Sequence, residues 1–151
     1  MKKIKLYLDT CCYNRPFDNQ SDEQIHLEAE AVITIIKLFL KNEIDISGSE
    51  VIDFEISKIP DQIKRVKVNE FSLLIQSKLL IDEAVEQHAL DLEKLGFKAF
   101  DALHIAISVQ NKLEYFVTTD KKLINISKGI NYLPIKVINP LLFIKVYFYA
   151  D

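Results

Sequence analysis

The chain predicts an α/β protein: three layers, α/β/α, around a mostly parallel sheet of about five strands. Two observations predict it. Short apolar runs alternate with longer stretches of helical periodicity along the whole length, as expected of repeated βα units. The first run, Ile4–Leu8, is filled by residues that suit a covered, central strand. It leads straight into an acid, Asp9, and a hydroxyl, Thr10. A carboxylate at the C-terminal end of such a strand is poor for a core. It is well placed for a site, because open α/β sheets bind ligands outside the carboxyl ends of their strands.

The totals fit one globular unit. The chain has 151 residues, 49% hydrophobic and 27% charged, so residues 1–151 are expected to form a single domain with one core. Three Gly and four Pro leave little room for linkers. Net charge is −3, so no global basic surface advertises a polyanion, and such a partner would need a local patch. No basic-then-apolar leader opens the chain, and no apolar run reaches about 18 residues, so the expectation is a cytoplasmic protein without a membrane partner. Cys11 and Cys12 are adjacent, which suits neither a mutual bridge nor metal-ligand spacing.

The elements follow in order. After Thr10, residues Cys11–Gln20 read as a loop rich in turn formers: Asn14, Pro16, Asp18 and Asn19. Arg15 in this loop is either a solvated charge or a phosphate contact suited to a guanidinium fork. Ser21 and Gln24 have capping-box spacing for a helix ending near Lys41, with Ile25, Ala29, Val32, Ile33, Ile36 and Leu40 on one stripe. Ile44–Ser47 reads as the second strand, and Ser49 as the cap of a helix over Glu50–Ile59. Pro60 breaks that helix. A further amphipathic helix spans Asp61–Gln76, its Lys64, Arg65 and Lys67 read as a solvated face. Leu79–Ile81 is a brief third strand. Asp82 opens a helix that Gly96 stops. Phe97–Asn111 is apolar on nearly all sides and therefore a buried helix. Tyr115–Thr118 is the fourth strand and Ile135–Ile138 the fifth. Leu141–Tyr149 is too short to cross a bilayer; it packs on the domain or serves self-association.

Four acids stand out, each for a local reason. Asp9 and Asp120 follow buried strands, and both are accompanied by threonines: Thr10 after the first, Thr118 and Thr119 before the second. Asp101 lies in the first turn of the buried helix, where the dipole favours a negative charge. Glu55 falls in the middle of the apolar arc of Val51, Ile52, Ile56 and Ile59, where a carboxylate is costly unless paired or bound to a metal. The plain alternative for Glu55 is an edge position that reaches water. His104, one turn beyond Asp101, reads as packing or as a hydrogen-bonding neighbour of the site. A three-layer domain can bring the four acids to one sheet edge. Clustered carboxylates need a compensating cation, and oxygen-only ligands favour Mg²⁺ or Mn²⁺. Such an ion would orient a water for attack on a phosphodiester, with Thr10 and Thr119 positioning ligands.

Four segments now carry a likeness: Leu8–Thr10 (LDT), Ser49 to Glu55 (S-x-x-x-x-x-E), Phe100–Ala106 (FDALHIA) and Val117–Asp120 (VTTD). Together, in this order and at these intervals, they resemble PIN-domain proteins of the kind found as VapC-type toxins, over nearly the whole length. The resemblance implies a Mg²⁺- or Mn²⁺-dependent ribonuclease selective for single-stranded RNA, with metal ligands and catalytic residues at Asp9, Glu55, Asp101 and Asp120. Substrate contacts would fall to Thr10, Asn14, Arg15 and Thr119. It also implies a homodimer held by an antitoxin protein. Where many such toxins carry a further acid past the fourth strand, this chain has Leu123 and Ile124. Two other classes stay open on the residues alone. One is a receiver-like domain phosphorylated on Asp9, with Thr118 and Lys121 as phosphate partners. The other is a catalytically silent binding module on a PIN scaffold.

Overall fold

The computed structural model describes residues 2–149. Strand β1 (Ile4–Leu8) is followed by a one-turn helix α1 (Thr10–Asn14) and a 3-10 turn over Arg15–Phe17. Then come α2 (Glu23–Leu40), β2 (Ile44–Ser49), α3 (Glu50–Ser57), α4 (Gln62–Ser72), β3 (Lys78–Leu79) and α5 (Glu83–Lys94). The chain finishes with α6 (Ala99–Gln110), β4 (Tyr115–Val117), α7 (Lys121–Lys128), β5 (Lys136–Ile138) and α8 (Pro140–Tyr149). The fold is α/β, with a five-stranded parallel sheet flanked by helices, as the alternation of runs predicts.

Strand order is β3-β2-β1-β4-β5, which makes β1 the centre. Its Leu6, Tyr7 and Leu8 are fully buried, each contributing about 1.5–3 kcal/mol through loss of apolar surface. Leu6 pairs with Ile46 on one side and Tyr115 on the other. The chain runs from β1 out to β2 and β3, then returns across to β4 on the opposite flank. The sheet therefore switches direction between β1 and β4, and the crevice beyond their C-terminal ends is the place where such sheets take ligands. The backbone there is tightly held: the Asp9 amide donates to the Val117 carbonyl at 2.9 Å, and Thr118 to Ile138 at 2.9 Å.

Several expected boundaries move. The cap of α2 is Asp22, whose side chain accepts from the Ile25 amide, while the Ser21 hydroxyl bonds Asn19 instead. Asp22 caps as well as a serine would, and its charge also meets the helix dipole. The fourth helix ends at Ser72 and the third strand is Lys78–Leu79, not Leu79–Ile81. The basic run on α4 is not simply solvated: Lys64 reaches Asp18 at 2.5 Å and Arg65 donates to the Ile59 carbonyl at 2.8 Å. The apolar C-terminal stretch forms α8 and packs on α2, with Phe143 fully buried. No helix among the described residues is long and apolar enough to cross a membrane.

Candidate functional site

Asp9 is the fixed point. Leaving β1, its side chain caps α1 by accepting from the Thr10 amide at 2.8 Å on Oδ1. Its Oδ2 accepts from the Thr118 hydroxyl at 2.7 Å. The Cys11 thiol lies 3.6 Å from the same oxygen. One strand end thus orients the carboxylate and the neighbouring strand end locks it. At 6% exposure it has little freedom to turn elsewhere.

Glu55 arrives from α3. Val51, Ile52 and Ile56 of the same helix are buried, as the arc predicts. Glu55 sits at the rim of that arc, its side chain 30% exposed, and it is paired. Its Oε1 accepts from the Thr10 hydroxyl at 2.6 Å and from His104 Nε2 at 2.5 Å. Burial alone would raise the pKa of this group, but the His104 bond, its charge and the Thr10 bond outweigh it, so the pKa lies below its ordinary value. Glu55 is therefore an ionised carboxylate whose Oε2 is left without a hydrogen bond among the described residues.

His104 is the residue whose part in the site the sequence reading did not resolve. It is fully buried on α6. Its Nε2 is 2.5 Å from Glu55 and 3.6 Å from Asp9 Oδ1. Its Nδ1 is 2.5 Å from the hydroxyl of Tyr7, which in turn lies 2.6 Å from the hydroxyl of Ser49. The partners dictate the protons. An ionised carboxylate only accepts, so Nε2 carries a hydrogen in either charge state of the ring. In the neutral ring, Nδ1 then accepts from Tyr7, and Tyr7 from Ser49. Burial lowers the His104 pKa, but Glu55, Asp9 and Asp101 together raise it above the ordinary value. Asp9, Glu55 and His104 offer ligand atoms within 4.8 Å of one another. A metal on Nε2 would have to displace that proton and break the bond to Glu55. The carboxylate oxygens carry no such restriction, so the donor chemistry favours an oxygen-rich site with His104 as the group that orients Glu55.

Asp101 and Asp120 lie outside the group whose ligand atoms converge, and they meet it through longer-range charge. Asp101, half-buried in the first turn of α6, makes no hydrogen bond or ion pair among the described residues. Its pKa is pushed up to about 6, first by burial and then by the charges of Asp9 and Asp120. Asp120 caps α7, accepting from the Lys122 amide at 2.9 Å and the Leu123 amide at 3.2 Å.

The remaining candidates divide. Thr10 belongs to the site through its bond to Glu55. Asn14 donates back to the Thr10 carbonyl at 3.2 Å, a bond within its own helix. Arg15 is an anchor: Nε binds Glu28 at 2.9 Å and Nη1 binds Asp18 at 2.8 Å. Thr119 is 8% exposed, its amide 3.3 Å from the Cys11 sulfur. Arg15, Thr119, Asp120, Lys121 and Lys122 do share a hollow of about 490 Å³ beside the acids. No family model matches this chain, and neither does any curated protein.

Proposed function

We propose that this chain is a divalent-metal-dependent ribonuclease of the PIN type that cleaves phosphodiester bonds in single-stranded RNA. One observation carries the reading. Asp9 and Glu55, 46 positions apart in the chain, meet at the carboxyl edge of the sheet over one buried imidazole, and the Asp101 pKa is held up to about 6 by burial first and then by the charges of Asp9 and Asp120. Mg²⁺ or Mn²⁺ would be held by Asp9 and Glu55, whose carboxylates already converge, with Asp101 and Asp120 as its further ligands. When bound, the ion supplies charge neutralisation and a Lewis acid at the phosphodiester.

The protein's own residues do the positioning. Thr118 and the Thr10 amide hold Asp9 in one orientation. His104 and the Thr10 hydroxyl hold Glu55 by Oε1 and leave Oε2 for the ion or for the proton of an attacking water. Tyr7 and Ser49 keep the imidazole from turning. A toxin role, an antitoxin partner and a homodimer follow from the likeness to VapC-type toxins, and the acid edge is the part of that likeness with a geometric counterpart.

The test is Asp9→Asn, because asparagine caps a helix as well as aspartate does. Calorimetric titration with Mn²⁺ and cleavage of single-stranded RNA are both expected in the wild type. The variant should keep its circular dichroism and lose Mn²⁺ affinity by at least about 100-fold, more than an outer partner would cost, along with cleavage. Unchanged cleavage refutes the assignment. The Thr118 hydroxyl on Asp9 also suits an aspartyl phosphate. Labelling of Asp9 by acetyl phosphate would replace the nuclease reading with a receiver-like one, in which Glu55 and His104 have no part. A wild type that binds no Mn²⁺ would make the chain a silent scaffold.

A further inference from the structure

Two phenylalanines stand outside the core at the rim of the acidic edge. Phe54 immediately precedes Glu55 on α3, and Phe100 immediately precedes Asp101 on α6. Their rings stack on each other with centroids 5.6 Å apart and planes 27° apart. Phe54 is 47% exposed and Phe100 44%. They edge a hollow of about 380 Å³ whose remaining walls are Val51, Ile81, Leu103 and Glu50. The Lys58 ammonium sits 5.2 Å from the Phe54 ring centroid, and the exposed Lys98 caps α6 two residues before Phe100. Neither lysine has an ion-pair partner among the described residues.

Resting on the ribonuclease reading, we propose that Phe54 and Phe100 form a stacking platform for one unpaired nucleobase of the RNA strand, with Lys58 and Lys98 taking its phosphates. Stacked aromatics with cations beside them are how single strands are held without regard to sequence, because every base has a π face. The spacing suits the chemistry. Phe54 and Phe100 adjoin Glu55 and Asp101 on the same two helices, so a base on the platform leaves its strand close to the acidic edge. Charge agrees with this orientation. Glu50 is the one acid lining the hollow, which disfavours a phosphate there; the apolar hollow takes the base and the lysine side takes the backbone. A duplex could not use the platform, since its bases are already stacked. The platform therefore gives a physical reason for single-strand selectivity that the carboxylates alone do not supply.

The chain contains no tryptophan, so Phe100→Trp introduces a single tryptophan, excited apart from the tyrosines, at the platform. Single-stranded RNA should quench it, and the same oligonucleotide with an abasic position at the bound nucleotide should not. In anisotropy titrations with labelled RNA in Ca²⁺, Phe54→Ala and Phe100→Ala should each weaken binding by on the order of 10- to 100-fold. The abasic substitution should weaken wild type comparably and leave Phe100→Ala no worse. Mn²⁺ affinity should be unchanged in both variants. Variants that bind RNA like a binding-competent wild type overturn the platform alone. So do variants that lose Mn²⁺ as well, since the effect would then pass through the acids. A dimer that dissociates on Phe54→Ala while RNA affinity holds makes this face a self-association surface instead. A wild type with no RNA affinity overturns the ribonuclease reading and the platform with it.

Discussion

Asp101 is the most informative single residue, because its surroundings set the sign of a pH dependence. Burial and the charges of Asp9 and Asp120 hold its carboxyl at about 6, above the ordinary aspartate value. Between the two values the folded chain binds more protons than the unfolded one, so metal-free stability should fall as pH rises through about 6. A divalent ion takes the deprotonated form, so its stabilisation should grow over the same interval. Thermal unfolding with and without Mn²⁺, at about pH 5 and about pH 7.5, measures both trends. An equal Mn²⁺ shift at the two pH values would remove Asp101 from the ligand set. Glu55 behaves in the opposite way, being held below its ordinary value once His104 and Thr10 outweigh burial. Two carboxylates at one edge thus have their acidities pushed apart by their neighbours. The sequence singled out both, Glu55 as a costly position and Asp101 as one the helix dipole favours, but could not tell their directions, because Glu55 has its donors on other elements and Asp101 has none among the described residues.

At the scale of elements, aspartate caps recur. Asp9, Asp22, Asp61, Asp82 and Asp120 each accept amide bonds at the start of a helix. Two of the five are also site acids, so the same local rule that starts α1 and α7 delivers carboxylates to the sheet edge. Asp9 and Asp120 were legible from sequence as strand ends; that each also starts a helix was not, since Cys11–Gln20 read as a loop and no helix was expected after Asp120. Asp82 has the capping function without the site. Its side chain accepts from the Val85 amide at 2.8 Å, and α5 packs its Val85, Ala89 and Leu92 inward. Asp82→Ala should cost about 1 kcal/mol, a fall of about 2–4 °C in Tm for a chain of this size, with Mn²⁺ affinity unchanged. A larger fall, or a change in metal affinity, would mean that α5 supports the site through α6, against which it packs.

At the scale of the molecule, the sheet order and one buried ion pair decide where the site lies. The switch between β1 and β4 places two strand ends with acids side by side. Behind them, Glu28 of α2 is 2% exposed and gathers Arg15 at 2.9 Å, Asn139 at 2.7 Å and Gln24 at 3.2 Å. It ties the turn after α1 to α2 and to the connection into α8. Removing Glu28 takes the buried partner from Arg15 and leaves it Asp18; losing one partner of a fully buried pair costs about 3–5 kcal/mol. Arg15 keeps some contact with water, so Glu28→Ala should lose about 3 kcal/mol in urea unfolding. A loss below about 1 kcal/mol would show that the ion pair is as weak as a surface one. Arg15 read from sequence as a loop charge or a phosphate contact, since Glu28 lies on the next helix and nothing local signals the pairing.

Local rules alone determined the alternation of strands and helices, the buried central strand, the helix starts at Ser49 and Asp82, and the four acids that no core would choose. Those features depend on residues a few positions apart, and spacing records them. Only the tertiary structure decided that β1 lies between β2 and β4, and that Tyr7, Ser49, His104 and Glu55 form one hydrogen-bonded chain. Those contacts join residues 42 to 97 positions apart. A buried histidine looks the same in sequence whether it fills a core or orients a carboxylate, and the difference lies in which polar atoms the fold brings to its two nitrogens.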